Sequence, residues 1–306
     1  MALTNIDLSR IADEALQNAQ EAIFPVGSIA TNFGGVTKED DVIKVDVLAE
    51  SAGAAAYNSS TNNYTTDRSL TEALVDVTVS NKFLDGFSLT PTEFKAISED
   101  GFRKRVNRHV RELTRTMLVD TMGILTESNY SLQEIIGADT GFDKTKVTQI
   151  RNNAGFKKFG LEEMATCVID SGYFENLMED QEVFQSRGLT DANQLSNLRA
   201  PYRGLDWVSS NIIPGNSQSL VGFVTDGTGI ALGVGVSDDI KTDMNGVLGL
   251  NPDSYDSEIF TTPEGLAMRM TVNYDNATKK VNVVFDCLWG KSVGQATKLL
   301  LLASAA

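Results

Sequence analysis

The sequence predicts an α+β chain in which helices and strands are segregated along its length. Three observations carry this: a capped run of helical periodicity begins at Thr90, two alternating segments precede it, and short strand-like segments fill the chain from about Gly204 onward. At 306 residues there is room for one large domain or two ordinary ones. Apolar residues make up 42% of the chain and charged ones 22%, a composition that folds.

In chain order, residues 5–24 place Ile6, Leu8, Ile11, Ala15, Leu16, Ala19 and Ile23 at three- and four-residue spacings, which predicts an amphipathic helix closed by Pro25. The stretch to Gly35 reads as extended. Having little of their own to pack on, residues 1–35 read as an arm laid along a neighbour or along the rest of the chain. Apolar and polar residues alternate from Ile43 to Val47, and again through Ala73, Val75, Val77 and Val79. The segment between, rich in Ser, Thr, Asn, Ala and Gly, is too long for a tight turn and too polar for a core. Residues 36–89 are therefore expected to form an extended two-stranded loop. A lone ribbon is marginal in water, so its apolar face must rest either on another chain or back on its own domain.

Thr90-Pro91-Thr92-Glu93 is a strong helix start, with Thr at the N-cap, Pro at the first helical position and Glu at the capping-box position. Phe94, Ile97, Phe102, Val106, Val110, Leu113, Met117, Leu118 and Met122 then keep helical spacing to about Leu125. The reading is one long helix with Gly101 as its weak point, at about 1 kcal/mol against Ala. Six of the 26 basic residues, Arg103, Lys104, Arg105, Arg108, Arg111 and Arg115, crowd into it beside His109, the single histidine. Such a cluster serves either DNA phosphates or acids on other segments and chains. The net charge of −15 favours pairing with acids and argues against a dedicated DNA reader.

Leu161, Met164, Ala165, Val168, Ile169, Phe174, Leu177 and Met178 predict a second helical region over 161–184, interrupted near Ser171-Gly172. Strands follow at 206–208, 220–224, 230–236, 267–274 and 281–288, with Asp275-Asn276-Ala277-Thr278-Lys279 as a hairpin loop between the last two. Leu299-Leu300-Leu301-Leu302-Ala303 is a terminal strand or docking tail, far short of the ~20 residues that span a bilayer.

Signatures of chemistry are sparse. One histidine builds neither a Ser/His/Asp relay nor a histidine metal site. Cys167 and Cys287 lie far apart without a C-x-x-C pair and read as reduced thiols in cytosol. Gly227-Thr228-Gly229-Ile230-Ala231-Leu232-Gly233 misspaces the dinucleotide fingerprint and runs into strand-like residues. No phosphate loop exists, and Asp253-Ser254-Tyr255-Asp256-Ser257-Glu258 reads as a solvated acidic turn without the spacing of a calcium loop. The N-terminus has no signal-peptide pattern, and the sequons at Asn58, Asn63, Asn129 and Asn276 therefore read as chance. No cofactor, metal or catalytic residue is expected. A hydrolase using two of the 41 acids is the alternative from another class, although no pair stands out.

The order of parts resembles the Hong Kong 97-like fold of tailed-phage major capsid proteins. More specific are Gly204-Leu205-Asp206-Trp207-Val208-Ser209-Ser210-Asn211-Ile212-Ile213-Pro214-Gly215, similar to that family's glycine-led strand running into a Ser-Asn-x-Ile/Leu-Pro turn, and Pro263-Glu264-Gly265-Leu266-Ala267-Met268-Arg269-Met270 with Trp289-Gly290-Lys291-Ser292-Val293, similar to its late strands. The resemblance implies an N-terminal arm (1–35), an extended loop (36–89), a spine helix with a peripheral region (90–203), axial and late peripheral strands (204–290) and a C-terminal strand or tail (291–306). It further implies an icosahedral shell around viral double-stranded DNA, built from pentamers and hexamers of this chain in a bacterial host's cytoplasm and ending in the virion. Tyr57, Tyr64, Asp67 and Arg68 of the loop and Arg103, Lys104, Arg108, Arg111 and Arg115 of the helix become candidate intersubunit contacts. Expected partners are other copies, separate scaffolding, portal and decoration proteins, and packaged DNA touched without sequence preference, with no membrane. Because the arm starts almost at Met1, scaffolding is expected as a separate protein. An encapsulin-type compartment shares the fold and is the alternative shell.

Overall fold

The chain's architecture comes from a computed structural model that describes residues 14–15, 26–36, 40–48, 60, 72–156, 165–179, 199–236, 255–261 and 266–305. Among these, the order is α1 (Val26–Ile29), β1 (Thr31–Val36), β2 (Val42–Leu48), β3 (Glu72–Thr78), β4 (Asn81–Leu89), α2 (Pro91–Ala96), α3 (Glu99–Met122), β5 (Gln133–Ile135), α4 (Lys144–Phe156), β6 (Ala165–Asp170), α5 (Ser171–Glu179), β7 (Arg199–Tyr202), β8 (Leu205–Ser210), β9 (Leu220–Thr225), β10 (Ile230–Val236), β11 (Tyr255–Thr261), β12 (Ala267–Asp275), β13 (Lys280–Val293) and β14 (Leu299–Ala303).

The strands build two sheets and a ribbon. The first sheet runs β1-β10-β13-β12-β11, with β4 hydrogen-bonded along β13 as well. The second runs β5-β14-β9-β6-β8-β7. The ribbon is β2 against β3, with Ile43 opposite Val77 and Val45 opposite Val75. The extended stretch at the end of the expected arm is thus a strand of the body: β1 lies parallel to β10, from Thr31 opposite Ala231 to Val36 opposite Val236. Of the helix expected over 5–24, only Glu14 and Ala15 are described, and both are helical.

The long helix packs on the first sheet through Phe102, Val106, Val110, Leu113, Met117 and Met122, which share one core with Met268, Met270, Val283, Phe285 and Trp289. That core continues onto one face of the second sheet through Val168, Val208, Phe223, Leu299 and Leu301. Cys167, Ile169, Trp207, Val224, Leu300 and Leu302 point the other way, into a second core closed by residues of α4 and α5. β14 shows the period-two rule plainly: its alternate leucines serve opposite cores, and it sits between β5 and β9 as an interior strand. The terminal strand reading holds there.

Four readings change. The helix expected from Thr90 to about Leu125 is two helices, because Ile97 and Ser98 are extended and Ser98 Oγ accepts from Gly101 N at 3.1 Å as a second N-cap. Gly101 therefore lies in the first turn of α3, where its intrinsic helix cost matters least. Residues 165–170, expected as helix, form β6, paired parallel to β8 and antiparallel to β9. A strand buried on both faces loses its alternation and reads like a helix segment. Residues 255–258, expected as part of an acidic turn, open β11, which pairs with β12. Asn81–Leu89, expected within the extended loop, pairs with β13 over its full length. The strands expected from 206 to 288 all form, and residues 276–279 make the expected turn.

Candidate assembly surfaces

The ribbon is amphipathic by alternation. Val45, Val47 and Val77 are buried with Ala231 of β10, and Ile43 and Val75 pack at the margin, while Val42, Lys44, Asp46, Leu74 and Asp76 face outward. Where the ribbon crosses the first sheet, two glycines stand opposite each other in register, Gly233 of β10 and Gly290 of β13. A β-carbon on Gly290 would collide with the Thr78 carbonyl, and one on Gly233 would lie 3.2 Å from Val77 Cγ1. Neighbouring positions along β13 alternate between faces, so Trp289 points to the long helix and Gly290 to the ribbon. Helix and ribbon thereby clasp the sheet from opposite sides, and the base of the ribbon rests on its own chain. Tyr57, Tyr64, Asp67 and Arg68, beyond that base, lie outside the described residues.

Polar ties fix the long helix to the sheet. Asp120 accepts from Trp289 Nε1 at 2.8 Å and Asn81 Nδ2 at 3.2 Å, and its other oxygen pairs with Lys291 Nζ at 2.6 Å. One carboxylate thus joins α3, β4 and β13. His109 Nδ1 lies 2.9 Å from Asp85 Oδ2 and its ring stacks on Phe87, so the single histidine fastens α3 to β4. Between β12 and β13, Arg269 and Asp286 form a buried bidentate pair at 2.9 and 2.7 Å. The helix's C-terminus is closed by Asn216, whose Nδ2 donates to the carbonyls of Met122 and Leu125. Asn216, Ser217 and Ser219 all take positive φ to reach that position.

The cationic residues of α3 separate into two groups. Arg103 pairs with Glu99 at 3.2 Å and Glu14 at 3.1 Å, Lys104 with Asp100 at 2.7 Å, and Arg115 with Glu112 at 3.7 Å. The Asp100 carboxylate raises the Lys104 pKa. Arg105, Arg108 and Arg111 are exposed and form no ion pair with a described residue. Sequence reasoning singled out the cations but missed Asp120, Asp85 and the glycine pair. An acidic residue between Val119 and Thr121 near the end of an apolar helix was the available signal for the first; the register of Gly233 and Gly290 has no local signature.

Burial pushes both Cys167 and Cys287 thiols up, away from nucleophilic thiolate. Among the described residues no three His, Cys, Asp or Glu side chains converge to hold a metal ion.

A two-sheet body, a long helix across one sheet and a ribbon crossing its other face together make a Hong Kong 97-like fold. Particular solved structures share it nearly end to end. The capsid of cyanophage P-SCSP1u matches at a TM-score of 0.55 with 12% identity, covering 90% of this chain and 86% of that one. The virus-like particle from Pyrococcus furiosus matches at 0.52 with 9% identity over 96% of both chains, and the mature capsid of bacteriophage PhiM1 at 0.52 with 9% identity over 92% and 86%. At such identities the likeness is one of fold. No family model matches the chain, and no curated protein does.

Proposed function

We propose that this chain is the major capsid protein of a tailed double-stranded DNA phage, a nonenzymatic subunit that assembles into an icosahedral shell. The observation that carries the reading is the extent of the fold match: capsid chains align over about nine-tenths of both partners. In this reading pentamers and hexamers of the chain enclose the genome, the tip of the ribbon with Tyr57, Tyr64, Asp67 and Arg68 reaches a neighbouring subunit, and scaffolding, portal and decoration proteins are separate chains. The virion is its destination, after assembly in the host cytoplasm.

The Pyrococcus furiosus likeness supports a second reading, an encapsulin-type compartment built from the same fold. Expression of the chain followed by size-exclusion chromatography and negative-stain electron microscopy tests the shell reading. Closed particles or five- and six-membered rings are expected, and a monomer at every salt concentration and with co-expressed scaffold overturns it. Particles purified from the native source then separate the two shells by content, DNA for a capsid and protein cargo for a compartment.

A further inference from the structure

Resting on the shell reading, we propose that the outward face of the long helix contacts the phosphates of the enclosed DNA, which makes this the side of the subunit turned to the interior. At about 100° per residue, Lys104, Arg108, Arg111 and Arg115 fall within an arc of about 60°. That arc lies opposite the one holding the buried Phe102, Val106, Val110, Leu113 and Met117. The four cations are exposed. They span eleven steps of the helix, or ~17 Å.

The composition of the stripe points to an oxyanion partner. Five of the chain's twelve arginines lie between positions 103 and 115, in a protein of net charge −15. Arginine presents a planar fork suited to phosphate oxygens. Pairing with acids accounts only for the margins of the cluster, since Arg103, Lys104 and Arg115 find carboxylates on or beside their own helix. Arg108 and Arg111, midway along the length of the stripe, are left facing solvent without such a partner among the described residues. Exposed helix positions hold glutamine or lysine as readily as arginine, so fold stability gives no reason for this choice. A genome contact of this kind reads charge and not sequence, and an acidic remainder of the wall keeps it from becoming a general adhesive.

The test uses the full chain and a short fluorescent DNA duplex, with binding followed by anisotropy over a salt series. The variant is R108Q/R111Q, with R108K/R111K as the conservative replacement and K279Q/K280Q, exposed where the hairpin turn enters β13, as the control of equal charge. Expected are salt-dependent binding by the unaltered chain and a log-log salt slope shallower by about two in R108Q/R111Q. The slope should return in R108K/R111K and stay unchanged in K279Q/K280Q. Failure of the unaltered chain to bind at low ionic strength, or an equal loss in both glutamine variants, overturns the proposal. So does loss of particle assembly in R108Q/R111Q with DNA binding intact, which would assign the stripe to a neighbouring subunit. Particle formation by the unaltered chain is scored separately by electron microscopy, so failure of the shell reading is seen independently.

Discussion

The two sheets face opposite demands. In the second, β6, β8, β9 and β14 are almost wholly buried because both faces carry a core. In the first sheet and its ribbon, large apolar side chains reach the surface: Val42 and Leu74 on the ribbon, Phe83 and Leu84 on β4, Ile259 on β11 and Tyr274 on β12. Among the described residues only Ile135 does so in the second sheet. A module closed on both faces needs no partner, whereas exposed apolar groups on the strands of the other make it the surface to test for contact with further copies. The second sheet is closed on both faces, and the first, with its ribbon, leaves large apolar side chains open to solvent.

That division can be broken by substitution. Leu301→Ala removes a fully buried leucine from an interior strand, and chemical denaturation should show a loss of about 2–5 kcal/mol. A loss below about 1 kcal/mol would mean the second sheet is not the closed core described. Gly290→Val drives a side chain into the Thr78 carbonyl and should cost about 1–3 kcal/mol while loosening the ribbon, read as faster amide exchange in Val42–Leu48 and Glu72–Thr78. Unchanged exchange there would show that the ribbon is not held by the glycine pair. Leu84→Ser, 63% exposed in the native side chain, should alter stability by no more than about 0.5 kcal/mol yet weaken self-association in sedimentation. Equal losses in Leu84→Ser and Leu301→Ala would erase the contrast.

The smallest effect concerns the cap of α2. Hydrogen bonds from the Thr90 backbone and hydroxyl hold Glu93 below its usual pKa of 4.5. A depressed acid stabilises the fold above its unfolded pKa and loses that contribution as pH falls through the folded value. The shift is therefore visible only below about pH 4.5, as a small acid-side drop in melting temperature that Glu93→Gln should remove. Persistence of the drop in Glu93→Gln would place the acid lability elsewhere.

What could be read from sequence follows the same boundary. Ribbon strands face core on one side and water on the other, so Ile43, Val45 and Val47 alternate with polar residues and announced themselves. The cap at Thr90 is local chemistry and was equally visible. Ala165–Asp170 is buried on both faces, and its apolar run gave no sign of period two; α4, with Val147, Ile150 and Ala154 as its apolar stripe, was too weakly patterned to be found. Of the candidate contacts, the cations of α3 were legible as a cluster, but which of them pair within the chain depends on Glu99, Asp100, Glu112 and a remote Glu14. The Asp120 junction joins positions some 170 apart in sequence and had no local trace.

The central claim is that this subunit assembles through its open module, and sedimentation velocity of the full chain beside a variant lacking residues 51–66 tests it most directly. The account predicts large closed particles from the full chain and a folded, slowly sedimenting subunit from the deletion, with the same circular dichroism. Particles of equal size and yield from both would contradict it.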